Sequence, residues 1–366
     1  MERTIRVELG PRSYTVGVGA GMIQRLGPAV AEIPRARSAV VIADSNVASL
    51  YGGEAAKGLA AAGVAHTLIA FPAGEEHKNL ATYGRLMDSL FAVEPPIDRD
   101  TVIVALGGGV TGDLAGFVAA TALRGLRWLQ CPTTLLADVD ASVGGKTAVD
   151  HPSGKNLIGA FHQPAGVLID VRALATLPPV ELAGGLAECV KHGMIRDVTL
   201  LDFIEANAKA ILAAEPEIMT ELIARNVAIK AAIVSADERE AAVREHLNFG
   251  HTIGHAIETV VGFGNISHGQ AVSLGMAAAC WLAVERGLID RAIAGRLSAL
   301  LTLLGLPTRW DGLDSPAIWR AMTHDKKTRG GKVRMILPTG IGAVAAFDGI
   351  DNGIVRKAME SLGKPS

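Results

Sequence analysis

The pattern of hydrophobic and polar residues along the chain changes character near its middle. In the first half, short apolar runs typical of buried parallel strands alternate with segments of helical period. Strands are predicted at residues 5–9, 14–18, 38–43, 66–71, 101–106 and 128–131, and helices are predicted to end near residues 92 and 124. This alternation is typical of a Rossmann-like α/β domain, in which helices cover a parallel sheet.

The second half is predicted to be mainly α-helical. After Pro178 and Pro179, a good entry to a helix, nearly every segment has helical period. Helices are predicted at residues 180–195, 199–212, 216–236, 246–262, 269–286 and 292–304, with strands at residues 333–337 and 343–346. We therefore predict an α/β nucleotide-binding domain in residues 1–177 and a mainly helical domain in residues 178–366.

Composition and charge favour a compact enzyme and exclude several other classes of protein. Of the 366 residues, 49% are hydrophobic and 20% are charged, which is unlike a disordered or fibrous protein. The formal net charge of −2 provides no general basic surface for nucleic acid or for an anionic membrane. An anionic ligand would therefore need a local cluster of Lys and Arg.

The sequence also favours a cytoplasmic location. The cysteines Cys131, Cys189 and Cys280 lie far apart without a CxxC motif, as expected in a reducing compartment. The N-terminal residues alternate like a strand and lack the apolar core of a signal peptide. The most apolar run, residues 271–284, is too short to cross a bilayer and is interpreted as a buried helix.

A glycine motif follows one of the predicted strands. Gly107, Gly109 and Gly112 have the GxGxxG spacing and open a predicted helix, where backbone N–H groups could bind a pyrophosphate. The motif is not in the first βα unit, and no acidic residue ends a strand about 20 positions later. Asp44, at the end of an earlier strand, could bind the ribose instead. The alternative is a plain tight turn.

A polar segment of 25 residues follows at residues 132–156. We predict it to be a structureless loop, and a loop of this length in a compact domain is usually functional. Asp140, Lys146, Lys155 and Asn156 are its candidate ligands for anionic or hydroxylated molecules. The VGGKT sequence lacks the leading glycine of a Walker A motif at the required spacing, so an ATP-binding P-loop is rejected.

The second half contains two pairs of residues at helical spacing. His251 and His255 are four apart and share a helix face, with Asn248 and Arg244 one and two turns earlier. Their neighbours are apolar, which favours a buried metal or catalytic site over surface histidines. Glu188 is three residues from Lys191, and apolar neighbours again favour a buried pair over a surface ion pair.

A catalytic zinc site commonly has three protein ligands, such as a carboxylate and two histidines, and one open position. The candidates are Glu188, His251, His255 and His268, which is one more than needed, and spacing leaves open which is the spare. Further cations could surround a small polyanion: Arg124, Lys146, Lys191, Lys230, Arg244, Lys326 and Lys327.

Five motifs occur in a consistent order along the chain: GGGVTGDLAG at residues 107–116, SVGGKT at 142–147, GKNLIG at 154–159, ExxK at 188–191 and LNFGHTIGH at 247–255. Together, from about Asp44 to Lys327, they resemble the 3-dehydroquinate synthase family of sugar phosphate cyclases. The resemblance implies an N-terminal α/β NAD-binding domain and a helical C-terminal metal-binding domain, usually in a homodimer. Two positions depart from the common family pattern: Asp150 replaces Asn, and Gly184 replaces Ser or Asn near the cofactor.

The resemblance also implies roles for individual residues. It implies zinc or cobalt bound by Glu188, His251 and His268, which leaves His255 near the substrate as an acid–base group. Glu240 matches a residue proposed to accept a proton, and Lys146 and Lys191 are further catalytic candidates. The substrate-binding residues implied are Arg124, Asp140, Lys146, Asn156, Lys191, Lys230, Arg244, Asn248, His255 and Lys326, the last in preference to Lys327. The NAD contacts implied are Asp44, Asn46, Glu75, Lys78, Gly108, Gly109, Val110, Asp113, Thr133, Thr134, Lys155 and Thr176.

The implied reaction converts 3-deoxy-D-arabino-heptulosonate 7-phosphate to 3-dehydroquinate and phosphate. NAD is reduced and reoxidised within the cycle, phosphate leaves by β-elimination, and an aldol step closes the ring. The alternatives are sister cyclases, such as aminodehydroquinate, 2-deoxy-scyllo-inosose or valiolone synthases, and a metal-dependent polyol dehydrogenase of the glycerol dehydrogenase type. A non-catalytic role would not explain why Glu188, His251 and His268 occur together.

Overall fold

The computed structural model describes residues 1–239, 243–262, 265–326 and 333–363, with residues 324–326 described by backbone alone.

The chain forms two compact units. The first contains Met1–Leu177 and Ala214–Ser235, and the second contains Pro178–Ala213 and Ala236–Ser366. The first unit is therefore discontinuous in sequence, unlike the two continuous domains that the change of pattern predicted.

The first unit is built on a parallel sheet. Its strands are β1 Glu2–Val7, β2 Tyr14–Gly19, β3 Ser38–Asp44, β4 Ala65–Phe71, β5 Thr101–Gly107, β6 Arg127–Pro132, β7 Lys146–His151, β8 Gly154–Phe161 and β9 Gly166–Asp170. Seven of them form one sheet in the order β1-β2-β9-β6-β5-β3-β4. All neighbouring strands in that sheet are parallel except β1 and β2.

Helices cover both faces of this sheet. In chain order the α-helices of the described residues, in both units, are α1 Leu26–Ala31, α2 Ser45–Ala61, α3 Leu80–Phe91, α4 Gly109–Thr121, α5 Pro179–Arg196, α6 Val198–Leu212, α7 Pro216–Ala236, α8 His251–Val261, α9 His268–Glu285, α10 Arg291–Leu303, α11 Ser315–Lys326 and α12 Asn352–Ser361. Alternate residues of β3 enter two separate cores: Val40 and Ile42 pack with residues of α3 and α4, whereas Ala39 and Val41 pack with residues of α1 and α2. The predicted Rossmann-like α/β fold is confirmed.

The polar segment at residues 132–156 is not the structureless loop that we predicted. Residues Ala137–Ala141 form a helical turn, and β7 pairs with β8 in an antiparallel hairpin. Thr147 and Val149 are buried, and a Cβ on Gly116 of α4 would lie 2.5 Å from Thr147 Cγ2. A register shift between Val149 and His151 interrupts the strand, which explains why its alternation was not recognised.

The second unit is mainly helical, and β10 Arg334–Gly340 and β11 Ala343–Asp348 form a hairpin in it. The helix predicted at residues 246–262 begins only at His251. Val243–Asn248 forms a separate 3-10 turn, and Gly250 between them has a φ of +80°, in the left-handed region that favours glycine. The prediction that Arg244 and Asn248 lie on the helix of the histidines is therefore wrong. The sequence pattern also missed α11 and α12.

None of the helices in the described ranges is long and apolar enough to cross a membrane.

Candidate active site

A buried ion pair lies on α5. The side chains of Glu188 and Lys191 are 0% and 1% exposed, so this is not the surface pair that we considered as an alternative. The Lys191 ammonium contacts Glu188 Oε2. Burial by itself raises the pKa of Glu188, but Lys191, His251 and His268 outweigh it and hold that pKa well below its usual range. Glu188 is therefore an ionised carboxylate.

Two histidines direct a ring nitrogen toward this carboxylate. His251 Nδ1 lies 3.1 Å from the Phe249 carbonyl oxygen, which can only accept, so Nδ1 carries the hydrogen. The other nitrogen, His251 Nε2, lies 3.4 Å from Glu188 Oε1. His268 is the first residue of α9, whose start is fixed by a capping box with Ser267 as the N-cap. Its Nε2 lies 3.8 Å from Glu188 Oε1.

His255 belongs to the same cluster. Its ring centre lies 5.2 Å from that of His251 and 5.8 Å from that of His268. Desolvation and these two rings lower the pKa of His255, although the residue as a whole is exposed. One ligand atom from each of the three histidines lies within 4.8 Å of the others. The structure thus brings all four candidate metal ligands together.

The spacing of these donors fits a divalent metal. Two ligands at 2.0–2.1 Å from a tetrahedral zinc ion lie roughly 3.3 Å apart. The separations of 3.4 and 3.8 Å from Glu188 Oε1 to His251 and His268 are close to that value. A carboxylate and two imidazoles are also a donor set that zinc accepts.

Glu258 contacts this cluster, and sequence reasoning assigned it no role. It is 6% exposed, and its Oε2 lies 3.2 Å from His268 Nδ1. Glu258 is on α8, whereas His268 begins α9, so helical spacing could not relate the two residues.

Two further predicted residues of the second unit, Arg244 and Asn248, lie on the 3-10 turn before α8. Arg244 is 2% exposed, and its guanidinium donates to the Glu238 carbonyl at 2.5 Å. Asn248 ends the 3-10 turn before α8 and is partly buried. Glu240, Lys327 and the side chain of Lys326 lie outside the described residues.

In the first unit, the glycine motif lies between β5 and α4, as predicted. Gly108 is the N-cap of α4, so the free N–H groups of Gly109 and Val110 lie at a helix N-terminus. A Cβ on Gly112 would lie 2.3 Å from Gln130 Nε2, so glycine allows α4 to pack closely on the sheet.

Asp44 connects this motif to the neighbouring helix. Its Oδ1 accepts the backbone N–H groups of Asn46 and Val47 at 3.0 and 3.1 Å, which caps α2. Its Oδ2 accepts the Thr111 hydroxyl of α4 at 3.2 Å. The carboxylate is thus held beside the glycine motif, and its binding of ribose stays a prediction.

Five residues predicted to bind NAD or substrate form a polar cluster. Lys78 is 5% exposed, and its Nζ lies 2.5 Å from Asp113 Oδ2 and 2.6 Å from Asn156 Oδ1. Burial alone lowers the pKa of Lys78, but Asp113 outweighs it and raises that pKa, so the ammonium is charged. The Nζ of Lys155 lies 3.1 Å from Glu75 Oε1.

Three predicted threonines lie in two places. The Thr133 N–H donates to the Gly107 carbonyl at 3.1 Å, and the Thr134 methyl would lie 3.0 Å from a Cβ on Gly108, so both lie beside the glycine motif. Thr176 is elsewhere, with its hydroxyl 2.6 Å from that of Tyr51.

Of the predicted substrate residues in this unit, Asp140 and Lys230 are paired and Arg124 is remote from the glycine motif. Lys230 Nζ lies 2.6 Å from Asp140 Oδ1. Lys146 is exposed at the start of β7. Arg124 is exposed just beyond the C-terminal end of α4, and a helix of 13 residues is about 20 Å long. The role of Arg124 in substrate binding stays a prediction.

Two solved structures of sugar phosphate cyclases are similar to this chain over nearly its whole length. The 2-epi-5-epi-valiolone synthase ValA from Streptomyces hygroscopicus subsp. jinggangensis, with NAD+ and Zn2+ bound, has a TM-score of 0.87 at 30% identity and covers 97% of each chain. A 2-deoxy-scyllo-inosose synthase complexed with carbaglucose-6-phosphate, NAD+ and Co2+ has a TM-score of 0.88 at 28% identity, covering 98% of this chain and 100% of the other.

Sequence comparison identifies the family of this chain. The family models of the 3-dehydroquinate synthase N-terminal and C-terminal regions match residues 68–184 and 185–328, respectively. The 3-dehydroquinate synthase of Citrifermentans bemidjiense is 45% identical over 339 residues, which cover 93% of each chain. The chain therefore belongs to the 3-dehydroquinate synthase family.

Proposed function

We propose that this protein converts 3-deoxy-D-arabino-heptulosonate 7-phosphate to 3-dehydroquinate and phosphate, as a carbon–oxygen lyase of the shikimate pathway. The observation that carries the proposal is the convergence of Glu188 Oε1 with the Nε2 atoms of His251 and His268, at 3.4 and 3.8 Å. These residues lie in a chain that is 45% identical to a relative named 3-dehydroquinate synthase.

The proposal requires NAD and one divalent metal, zinc or cobalt. When bound, NAD supplies a reversible hydride acceptor and the metal supplies a Lewis acid. Glu188, His251 and His268 would hold the metal. The N-terminus of α4, with Asp44, Lys78 and the other predicted residues of the first unit, would bind NAD.

The residues of the chain itself would provide charge and proton acceptance. Lys191 keeps the buried Glu188 ionised, which is the state that a metal ligand needs. The lowered pKa of His255 keeps its imidazole uncharged at neutral pH, so its free lone pair could take up a proton, but for the same reason it would hold that proton only weakly. The buried cations Lys230 and Arg244 suit a substrate with a phosphate and a carboxylate.

The test is an assay that separates a cyclase from a dehydrogenase. Purified protein is mixed with NAD, zinc and the heptulosonate phosphate, and both phosphate and NADH are followed. We expect phosphate release without accumulation of NADH, because the hydride returns to the substrate. In a parallel assay, glycerol replaces the heptulosonate phosphate. Sustained NADH formation with glycerol, together with no phosphate release from the heptulosonate phosphate, would contradict the proposal and support a polyol dehydrogenase.

The sister cyclases differ in their substrates, so competing substrates distinguish them. Glucose 6-phosphate is the matched test compound, because a similar structure holds carbaglucose-6-phosphate. We expect turnover of the heptulosonate phosphate alone. Turnover of glucose 6-phosphate in preference would assign the chain to the 2-deoxy-scyllo-inosose type.

The homodimer and the cytoplasmic location stay predictions. Light scattering coupled to gel filtration measures the first directly, with a mass near twice 38.0 kDa expected for the dimer.

A further inference from the structure

We propose that Glu258 is a positioning residue for His268: its carboxylate fixes the tautomer and the orientation of the imidazole so that Nε2 faces the metal site. This inference rests on the metal site of the proposed function. Glu258 is not one of the three metal ligands proposed above, so this role is additional to theirs.

The hydrogen-bond chemistry determines which nitrogen of His268 is available. An ionised carboxylate only accepts, so the contact of 3.2 Å between Glu258 Oε2 and His268 Nδ1 requires the hydrogen on Nδ1. In the neutral imidazole, Nε2 then has a free lone pair. That atom is the one that lies 3.8 Å from Glu188 Oε1.

The local structure holds both partners in place. The Glu258 carbonyl accepts the N–H of Gly262 at 3.0 Å, at the C-terminal end of α8. The capping box of Ser267 and Gln270 fixes the first turn of α9, where His268 lies. The two side chains therefore meet from separately anchored helix ends, and neither helix alone determines the contact.

His268 needs such a partner more than His251 does. The side chain of His251 is 12% exposed and its Nδ1 is held by the Phe249 carbonyl, which no side-chain substitution removes. The side chain of His268 is 31% exposed and can rotate toward solvent. A carboxylate partner also makes the ring a more basic ligand than a carbonyl partner does.

The test compares metal binding in Glu258→Gln and Glu258→Ala with the unaltered chain. Zinc affinity is measured by competition with a chromophoric chelator, and the visible spectrum of the cobalt form reports the coordination of the metal. Removing the outer partner of a metal-bound histidine typically weakens binding by 10–100-fold. We expect a loss in that range for Glu258→Ala, a smaller loss for Glu258→Gln, which keeps an acceptor without the charge, and an altered cobalt spectrum in both.

Glu245→Gln is the matched control. It removes the same charge from the same unit, but Glu245 pairs with Arg334 at 2.8 Å. We expect metal affinity and the cobalt spectrum to be unchanged in this control. Circular dichroism of the metal-free proteins shows whether each variant is folded, and Glu258→Gln carries the test if Glu258→Ala is not.

Affinity within twofold of the unaltered chain in the folded Glu258 variants, with an unchanged cobalt spectrum, would overturn the positioning role. The failure of the proposed function looks different. If the unaltered chain releases no phosphate but the Glu258 variants lose metal affinity, the proposed enzymatic activity is wrong and the positioning role of Glu258 stands.

Discussion

Asp150 Oδ1 accepts the backbone N–H of Asn156 at 2.7 Å, across the turn of the β7–β8 hairpin. Asn156 has a φ of +57°, and asparagine is among the few residues other than glycine that adopt this conformation readily. The side chain of Asn156 accepts from Lys78, and the Asp150 N–H donates to the Lys78 carbonyl at 2.8 Å. These three contacts form a closed ring that holds the Lys78 ammonium in place.

Asp150→Ala is expected to loosen this ring and to weaken NAD binding. A lost hydrogen bond of this kind costs about 1 kcal/mol, which corresponds to roughly fivefold in a dissociation constant. Calorimetric titration with NAD measures the change, and urea denaturation should show a similar loss of unfolding free energy. The control is Asp150→Asn, which keeps the acceptor oxygen and should bind NAD within twofold of the unaltered chain. NAD binding by Asp150→Ala at full strength would contradict this account.

Much of the first unit was predictable because its central strands β3 and β5 are buried on both faces. β3 and β5 are continuous apolar runs that end at Asp44 and at the glycine motif, so pattern alone located both ends of each strand to within one residue. The β7–β8 hairpin was not predicted, because one face of β8 exposes Leu157 and Phe161 and the other packs on a helix. The mixed pattern of polar and apolar residues in this hairpin therefore resembled that of a loop.

In the second unit, the composition of the candidate metal cluster was predictable but its geometry was not. Glu188, His251, His255 and His268 were all candidates, and the structure brings them together. The break at Gly250 separates α8 from the preceding turn, and a helical pattern that continues through a glycine does not reveal a left-handed residue. Contacts between helices, such as that of Glu258 with His268, have no period in the sequence at all.

Gly269→Ala is expected to disturb the metal site through the packing of α5 against α9. A Cβ on Gly269 would lie 2.3 Å from Gly184 Cα and 2.4 Å from its carbonyl oxygen, so the two helices must separate. Overpacking of this kind costs about 1–3 kcal/mol of unfolding free energy. The shift moves His268 away from Glu188, so zinc affinity, measured by chelator competition, should fall as well.

Gly184→Ala tests the same contact from the other helix. No atom lies within 4 Å of a Cβ on Gly184, and alanine favours a helix over glycine by about 1 kcal/mol. We therefore expect this variant to keep its zinc affinity and to be as stable as the unaltered chain or slightly more so. Equal destabilisation by both substitutions would contradict the asymmetry of the contact.

Asp138→Asn is expected to stabilise the protein increasingly as the pH rises. Asp138 is 1% exposed, and neither carboxyl oxygen has a hydrogen-bond partner among the described residues. Burial, and then the charge of Asp170, raise the pKa of Asp138 well above its usual value. The folded state therefore keeps a proton that the unfolded state loses above about pH 4, so wild-type stability declines as pH rises beyond that point. Urea denaturation at pH 4 should give nearly equal free energies of unfolding for the variant and the unaltered chain. At pH 8 the variant should be more stable by about 1–3 kcal/mol.

Asp170→Asn provides a control of opposite sign. Burial raises the pKa of Asp170, but Arg172 and the backbone N–H groups of Gly21 and Ile23 outweigh it and lower that pKa. Its stabilising contribution is present above about pH 4 and disappears as the pH falls through the lowered pKa. The variant should therefore be less stable than the unaltered chain at pH 7, with the difference shrinking in acid. Parallel pH profiles for the two variants would be inconsistent with these assignments.

Lys191→Met and Glu188→Gln distinguish a metal site from a structural ion pair. Each substitution leaves one buried charge without its partner, which costs about 3–5 kcal/mol of unfolding free energy. If Glu188 binds the metal, zinc should restore much of the stability of Lys191→Met, because the cation compensates the carboxylate. Glu188→Gln should gain little from zinc and should lose activity. Thermal denaturation of both variants, with and without zinc, measures these differences. Equal behaviour of the two variants toward zinc would mean that the pair is structural only.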